Sequence, residues 1–266
     1  MIKNLVLSGG GLGGVSFIGA LEHLQENKLL NNVNKYSGTS IGGIICTLLC
    51  FLDIKDIKQA VLENTLLRSS DLDIFGLNIN FGINNGEHLF NILSKYIHVV
   101  FEKIPTLLEL HEYSKKDLFL TTTNLSQYKT IYLNFRTHPD LSILLAMQMT
   151  MCIPLYFHKV EYNGELYVDG GLLDNVPTCH FNNEKNETLV LFLKKSKYEP
   201  IIPESAIEYF LACLKCRIAN YKINDEFERL EVLTSAHLLE HDYKQERIEE
   251  LLREGYSSNI NHLNTK

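Results

Sequence analysis

An α/β architecture with a mostly parallel central sheet follows from three features of this chain. Short apolar runs that read as buried strands, such as Leu5-Val6-Leu7, Leu118 to Thr123 and Thr188 to Leu193, alternate with segments of helical periodicity. Two glycine clusters, Gly9 to Gly14 and Gly38 to Gly42, stand where an apolar run gives way to a helical pattern. No internal repeat or domain-scale linker breaks the 266 residues. A single three-layer α/β/α domain over 1–266 is therefore expected, with its motifs within 5–180 and a helical C-terminal part at 203–256.

The first strand is expected at Ile2 to Leu7, followed by a glycine turn and a helix from Val15 to Glu26 with Phe17, Ile18, Leu21 and Leu24 on one face. A second short strand ends at Tyr36-Ser37. Ile41 to Leu52 has little polar surface and reads as a central helix; Ile54 to Leu67 is more amphipathic. Ser69 to Asn85 is polar and Asn-rich and reads as a loop or a mobile lid. Asn85 is placed to cap a helix at Glu87 to Ile97, and Pro105 to start another. Strands follow at Leu118 to Thr123 and Thr130 to Phe135. Asp140 is expected to cap an apolar helix that ends before Pro154. Leu166-Tyr167-Val168 is a short strand leading into Asp169-Gly170-Gly171. Pro203 opens a helix carrying Ile207, Phe210, Leu211, Leu214 and Ile218. Asp242 with Gln245 resembles a capping box, and Gly255 is expected to end the last helix.

The net charge of −7 at pH 7 disfavours a nucleic-acid surface. The N-terminus lacks the basic, apolar and cleavage regions of a secretory signal. The longest apolar stretch, Leu141 to Phe157, is short for a membrane span and contains polar residues and Pro154. A cytoplasmic protein, at most peripheral at membranes, is the expectation. Most of the six cysteines lie in apolar segments, and Cys213-Leu214-Lys215-Cys216 has no second pair to complete a zinc site, so helical packing is its expected role.

The chemistry concentrates in three places. Gly38-Thr39-Ser40-Ile41-Gly42 is a G-x-S-x-G sequence, which places a serine on a sharp strand-to-helix bend. Gly9-Gly10-Gly11-Leu12-Gly13-Gly14 suits an oxyanion hole, because amides at a helix start stabilise developing negative charge. The same run satisfies G-x-G-x-x-G. A dinucleotide site, however, needs an acidic residue at the end of the second strand, and Lys35-Tyr36-Ser37 has none. Asp169 ends a short strand before two glycines; it reads either as an ordinary turn or as the base that a serine elbow requires. A serine–aspartate–histidine triad is the competing arrangement, with His180, His237, His241 and His262 as candidates.

These motifs, in this order, resemble the patatin-like phospholipase family. Flanking stretches match as well: Thr123-Asn124-Leu125-Ser126, Cys152 to Phe157, Asp174-Asn175-Val176-Pro177, and Ile248 to Tyr256. The resemblance implies a patatin-like fold and a Ser-Asp dyad. Ser40 would be the nucleophile and Asp169 the general base, with Gly9, Gly10 and Gly11 forming the oxyanion hole. Gly14, Gly38, Gly42, Gly170 and Gly171 are the remaining motif glycines. It implies no metal and no organic cofactor. The expected substrate is a phospholipid or other acyl lipid at a membrane or micelle surface, and the expected activity is that of a phospholipase A or lysophospholipase. A lipid transacylase and a catalytically silent binding protein are the alternatives. The family's glycine loop usually carries Arg or Lys where this chain has Gly13. Ile44, Ile45, Leu48 and Met149 are candidates for an acyl channel, and Ser69 to Asn85 for its gate.

Overall fold

The computed structural model of the chain describes residues 1–64, 66, 68–73, 77–195, 202–219, 226–237, 240–241, 244–258, 260 and 263. Strand β1 (Asn4–Leu7) is buried along its whole length and leads through a 3-10 turn at Gly11–Gly13 into α1 (Gly14–Glu26). Strand β2 (Lys35–Thr39) leads into α2 (Ile41–Leu49), and α3 (Ile54–Glu63) follows. Next come α4 (Leu77–Asn80), β3 (Gly82–Asn84), α5 (Glu87–Phe101) and α6 (Leu107–Ser114). Thr106 and Glu109 form a reciprocal capping box at α6. β4 (Asp117–Asn124) and β5 (Lys129–Leu133) make a hairpin before α7 (Ile143–Met151). The strands β6 (Leu155–Phe157), β7 (Val160–Tyr162), β8 (Glu165–Asp169) and β9 (Thr188–Lys195) precede α8 (Ala206–Ala219), β10 (Glu228–Thr234) and α9 (Gln245–Tyr256).

One sheet takes eight of these strands in the order β10-β9-β1-β2-β4-β8-β7, with β5 also on β4. The neighbours from β10 to β4 are parallel; β5, β8 and β7 join antiparallel. This is the mostly parallel α/β sheet with flanking helices that the sequence pattern predicts. Strand β4 decides where the chemistry sits. Its residues 117–121 pair with β2 on one edge, while 120–124 pair with β5 on the other. Because β5 holds that second edge through Asn124, β8 at Thr122–Asn124 occupies the edge that β2 has just left. Strand β2 ends opposite Thr121 and β8 ends opposite Thr122, so Ser40 and Asp169 meet nearly end to end.

Several local expectations shift. The second strand runs on through Gly38 and Thr39, because both stay in register with β4. Ser142, not Asp140, caps α7, its Oγ accepting from Leu145 N at 3.2 Å. Asn85 Oδ1 accepts from Glu87 N at 2.9 Å, so it caps α5 as expected, from the position before the N-cap Gly86. The stretch Ser69 to Asn85 is not a free loop among its described residues, since Gly82–Asn84 pairs with Leu155–Phe157 as a small parallel sheet. The C-terminal part includes β10, whose Leu230 and Val232 face the core while Glu231 is exposed. Asp242 lies outside the described residues, as does the side chain of Ile218. Cys213 and Cys216 are exposed on α8 instead of packed. Among the described residues, no helix is long and apolar enough to cross a membrane.

The main core gathers Leu5, Leu7, Leu120, Leu189 and Leu191 from the sheet with α1, α2, α7 and α9. Alternate strand residues Val6 and Val190 form a smaller cluster on the opposite face with Val176, Phe181 and Phe227. Helices α1 and α9 touch backbone to backbone. A Cβ on Gly19 would lie 1.9 Å from Leu252 O, and one on Gly255 would lie 1.7 Å from Ser16 O. Gly255 thus does not end its helix; it lets α1 approach. Gly255→Ala is expected to cost about 2–3 kcal/mol by forcing the helices apart, lowering Tm by roughly 5–10 °C in a calorimetric scan. An unchanged Tm would contradict this packing.

Candidate active site

Ser40 occupies the bend between β2 and α2. Its φ of 55° and ψ of −128° are those of a sharp turn that non-glycine residues seldom adopt. Such a conformation costs on the order of 1–3 kcal/mol and persists only where neighbours hold it. Two bonds do so here. Ser40 O accepts from Ile44 N at 3.1 Å as the first turn of α2, and Ser40 N donates to Thr150 Oγ1 at 3.0 Å. Ser40 is 4% exposed.

Asp169 ends β8 and turns its carboxyl toward Ser40. Oδ1 accepts from Gly171 N at 2.7 Å. Oδ2 is buried and makes no hydrogen bond of ordinary geometry among the described residues, so its lone pairs are open to a proton. Burial pushes the carboxyl up from 3.8 to about 6, against the opposing pull of the Ser40 hydroxyl and the Gly171 amide. The Ser40–Asp169 interaction is thus a close approach, looser than a formed hydrogen bond, as is common in unliganded sites.

The glycine loop closes the third side. A Cβ on Gly9 would lie 2.6 Å from Asn175 Oδ1 and 3.3 Å from Ser40 Cβ. Gly9 N already donates to Asn175 O at 3.1 Å, which corrects one expectation: this amide is committed to the fold. Gly10 and Gly11 have no such bond among the described residues, and Gly11 needs its glycine for a φ of 57°. Gly14 packs on Ile41, and Gly170 on the Thr121 carbonyl; Gly171 lies between Asn175 and Asp169. Gly38 and Gly42 bring α2 against the ends of β2 and β1.

Together Gly9–Gly11, Ser40, Asp169, Gly171 and Asn175 line one pocket. Its apolar walls are Ile153, Pro154, Leu172 and Leu214. The expected channel residues Ile44, Ile45, Leu48 and Met149 are not among them; all four are buried in the main core. No histidine lines the pocket among the described residues. His180 stacks on Phe119 at 4.2 Å, and His241 Nε2 is 2.5 Å from Tyr156 Oη. His262 lies outside the described residues. Among the described residues, no group of three His, Cys, Asp or Glu side chains is arranged to hold a metal ion.

The sequence model of the patatin-like phospholipase family matches residues 5–181, from β1 to the turn after the Asp169 motif. This chain belongs to that family. Two viral proteins are similar to it. Uncharacterized protein R571 of Acanthamoeba polyphaga mimivirus is 31% identical over 193 residues, covering 71% of this chain and 64% of that protein. Probable lipid hydrolase 463L of Invertebrate iridescent virus 6 is 30% identical over 193 residues, covering 70% of this chain and 66% of that protein. The matched part is therefore just under two thirds of each relative's length. The crystal structure of VipD from Legionella pneumophila shares the fold, with a TM-score of 0.63 at 19% identity, covering 99% of this chain and 67% of that one.

Within the patatin-like family, Gly13 stands where Arg or Lys is usual, and the structure supplies a reason for a small residue. A Cβ there would lie 2.8 Å from Leu193 Cδ1 and 3.4 Å from Thr234 Cγ2. Leu193, on β9, fills the space that a basic stem would need. Three pocket or elbow residues were not legible as such. Asn175 follows the aspartate motif, and its buried Oδ1 has no hydrogen-bond partner among the described residues. Thr150 is a hydroxyl in an apolar helix, and Leu214 sits on α8, far along the chain. The only sequence signal was the Asp174-Asn175-Val176-Pro177 match.

Proposed function

We propose that this chain is a lipid acyl hydrolase of the phospholipase A or lysophospholipase type, acting through a Ser40–Asp169 dyad within one catalytic domain over 1–266. One observation carries the reading: a buried carboxyl with an open oxygen and a raised pKa faces a serine on a strained elbow. Asp169 removes the Ser40 Oγ proton as Oγ bonds to the ester carbonyl carbon. The tetrahedral oxyanion draws on the Gly10 and Gly11 amides. Its collapse breaks the ester bond, and the leaving alkoxide takes the proton from Asp169. In the second half Asp169 deprotonates water, hydroxide attacks the acyl-serine, and the departing serine oxygen recovers the proton as the fatty acid leaves. Ile153, Pro154, Leu172 and Leu214 offer the acyl chain an apolar wall. The similarity to a probable lipid hydrolase supports the substrate class.

The test is fatty-acid release from mixed phospholipid vesicles without calcium. Wild type is expected to release fatty acid, and Ser40→Ala to lose at least about a thousandfold in rate. Equal release by both would show that Ser40 is not the nucleophile. No release by folded wild type would overturn the hydrolase reading.

A further inference from the structure

The Ser40 backbone amide is held in an unusual way. Asp117 N donates to Asn34 O at 2.9 Å, which sets the phase of the β2–β4 ladder. In a parallel ladder of that phase, even-numbered β2 residues turn their amides toward β4, so Ser40 N is due to donate to Thr121 O. It does not. Thr150 Oγ1 stands between them, accepting from Ser40 N at 3.0 Å and donating to Thr121 O at 2.5 Å. A side-chain hydroxyl from α7 is spliced into the place of the last ladder bond, where the chain must leave the sheet.

We propose that Thr150 is the positioning residue for the nucleophile: its hydroxyl holds the Ser40 elbow at the distance from β4 that aims Oγ at Asp169. The proposal rests on the dyad reading above. Thr121 O, the relay's far end, also packs on Gly170 beside Asp169, at 2.4 Å from where a Cβ would be. The relay therefore ties the nucleophile to the strand that seats the base. Thr150 has no exposure, so neither the amide nor the carbonyl it joins has an obvious exchange partner in water. Helix α7 does not need this hydroxyl as its anchor. Thr122 Oγ1 is 2.9 Å from Met149 O and 2.9 Å from Val168 O, which pins α7 to the sheet one residue earlier.

The experiment measures two quantities per folded protein: the rate of fluorophosphonate labelling at Ser40, and kcat and KM on a soluble short-chain nitrophenyl ester. Thr150→Val keeps the shape and removes the hydroxyl. It is expected to slow labelling and kcat by about 10- to 100-fold with KM within about threefold, because small displacements of a nucleophile act on the reactive step. Thr150→Ser restores the hydroxyl and is expected to recover both rates to within about threefold of wild type. A fall in both variants that tracks Tm alone would mean packing and would overturn the relay, as would wild-type rates in Thr150→Val. If Thr150→Val does not fold, Thr150→Cys replaces it; labelling as fast as in Thr150→Ser overturns the proposal. Labelling at Ser40 that is indifferent to position 150 overturns the relay alone. Failure of folded wild type to label overturns the serine-nucleophile reading, and the relay's catalytic role with it.

Discussion

Asp169→Asn is expected to lower turnover by about 10³-fold or more while making the protein more stable at neutral pH. The two effects share one cause. Burial raises the carboxyl from 3.8 to about 6, so at pH 8 the fold holds a charge in a place that disfavours it. Between those two values the folded chain binds more protons than the unfolded chain, so stability falls as pH rises through this window. Above pH 6 the accumulated cost is about 3 kcal/mol by linkage, a figure that already includes the opposing pull of the Ser40 hydroxyl and the Gly171 amide. Asparagine keeps an oxygen for Gly171 N and carries no charge. Denaturant unfolding should therefore show Asp169→Asn about 1–3 kcal/mol more stable than wild type at pH 8, with the gain gone below pH 4. Activity runs the other way. Only the ionised carboxylate takes the Ser40 proton, so wild-type turnover of a soluble ester should rise about tenfold per pH unit below 6 and level off above it. Asp169→Asn turnover that follows the wild-type pH curve would remove Asp169 from the role of base. Equal stabilities at pH 8 would contradict its buried charge.

The sequence made Ser40 and Asp169 legible for different reasons. Ser40 announced itself because a bend with φ above zero, closed by a helix, demands small neighbours, and Gly38 and Gly42 are local and countable. Asp169 was legible only in company, since a lone Asp-Gly is usually a turn. Their meeting was legible only through the family resemblance, which implies a Ser40–Asp169 dyad, and not from the pattern of the residues themselves. It depends on β8 taking over the β4 edge from β2, a pairing with no local signature. Strand β10 was missed because Glu228 to Thr234 carries three charges and its adjacent Val232 and Leu233 break the apolar alternation. The proposed channel residues failed for a plain reason: Ile44, Ile45, Leu48 and Met149 are apolar because they are core, and composition does not separate a pocket wall from a core wall. The real wall includes Leu214 from α8, which only tertiary structure brings to Ser40. Thr150 was hidden by the opposite habit, a hydroxyl surrounded by methionines and leucines.

Gly42→Ala is expected to destabilise the protein by about 3–5 kcal/mol, whereas Gly43→Ala, one residue on, should cost about 1 kcal/mol or less. The difference lies in what each new methyl meets. At Gly42 the Cβ would lie 2.4 Å from Ser8 O and 2.6 Å from Leu7 O, both backbone atoms at the end of β1. Neither can move without breaking the central parallel strands. Gly38 faces the same constraint from below, with Gly42 C, Gly42 O and Gly43 N each 2.6 Å from its Cβ position. At Gly43 the nearest atoms are Leu120 Cδ2 at 3.1 Å and Gly38 O and Thr150 Cγ2 at 3.2 Å, tight contacts that need a few tenths of an ångström of give, against the much closer backbone overlap at Gly42. Alanine also favours the helix over glycine, which offsets part of that contact. The two glycines of the motif are thus required because α2 starts directly above the strand ends, with no room for a side chain on the seam. Moving α2 away also moves Ser40, its N-cap residue. Urea unfolding and fluorophosphonate labelling should therefore fail together in Gly42→Ala and remain near wild type in Gly43→Ala. Equal stability losses at the two positions would mean that the seam is not the reason for the spacing.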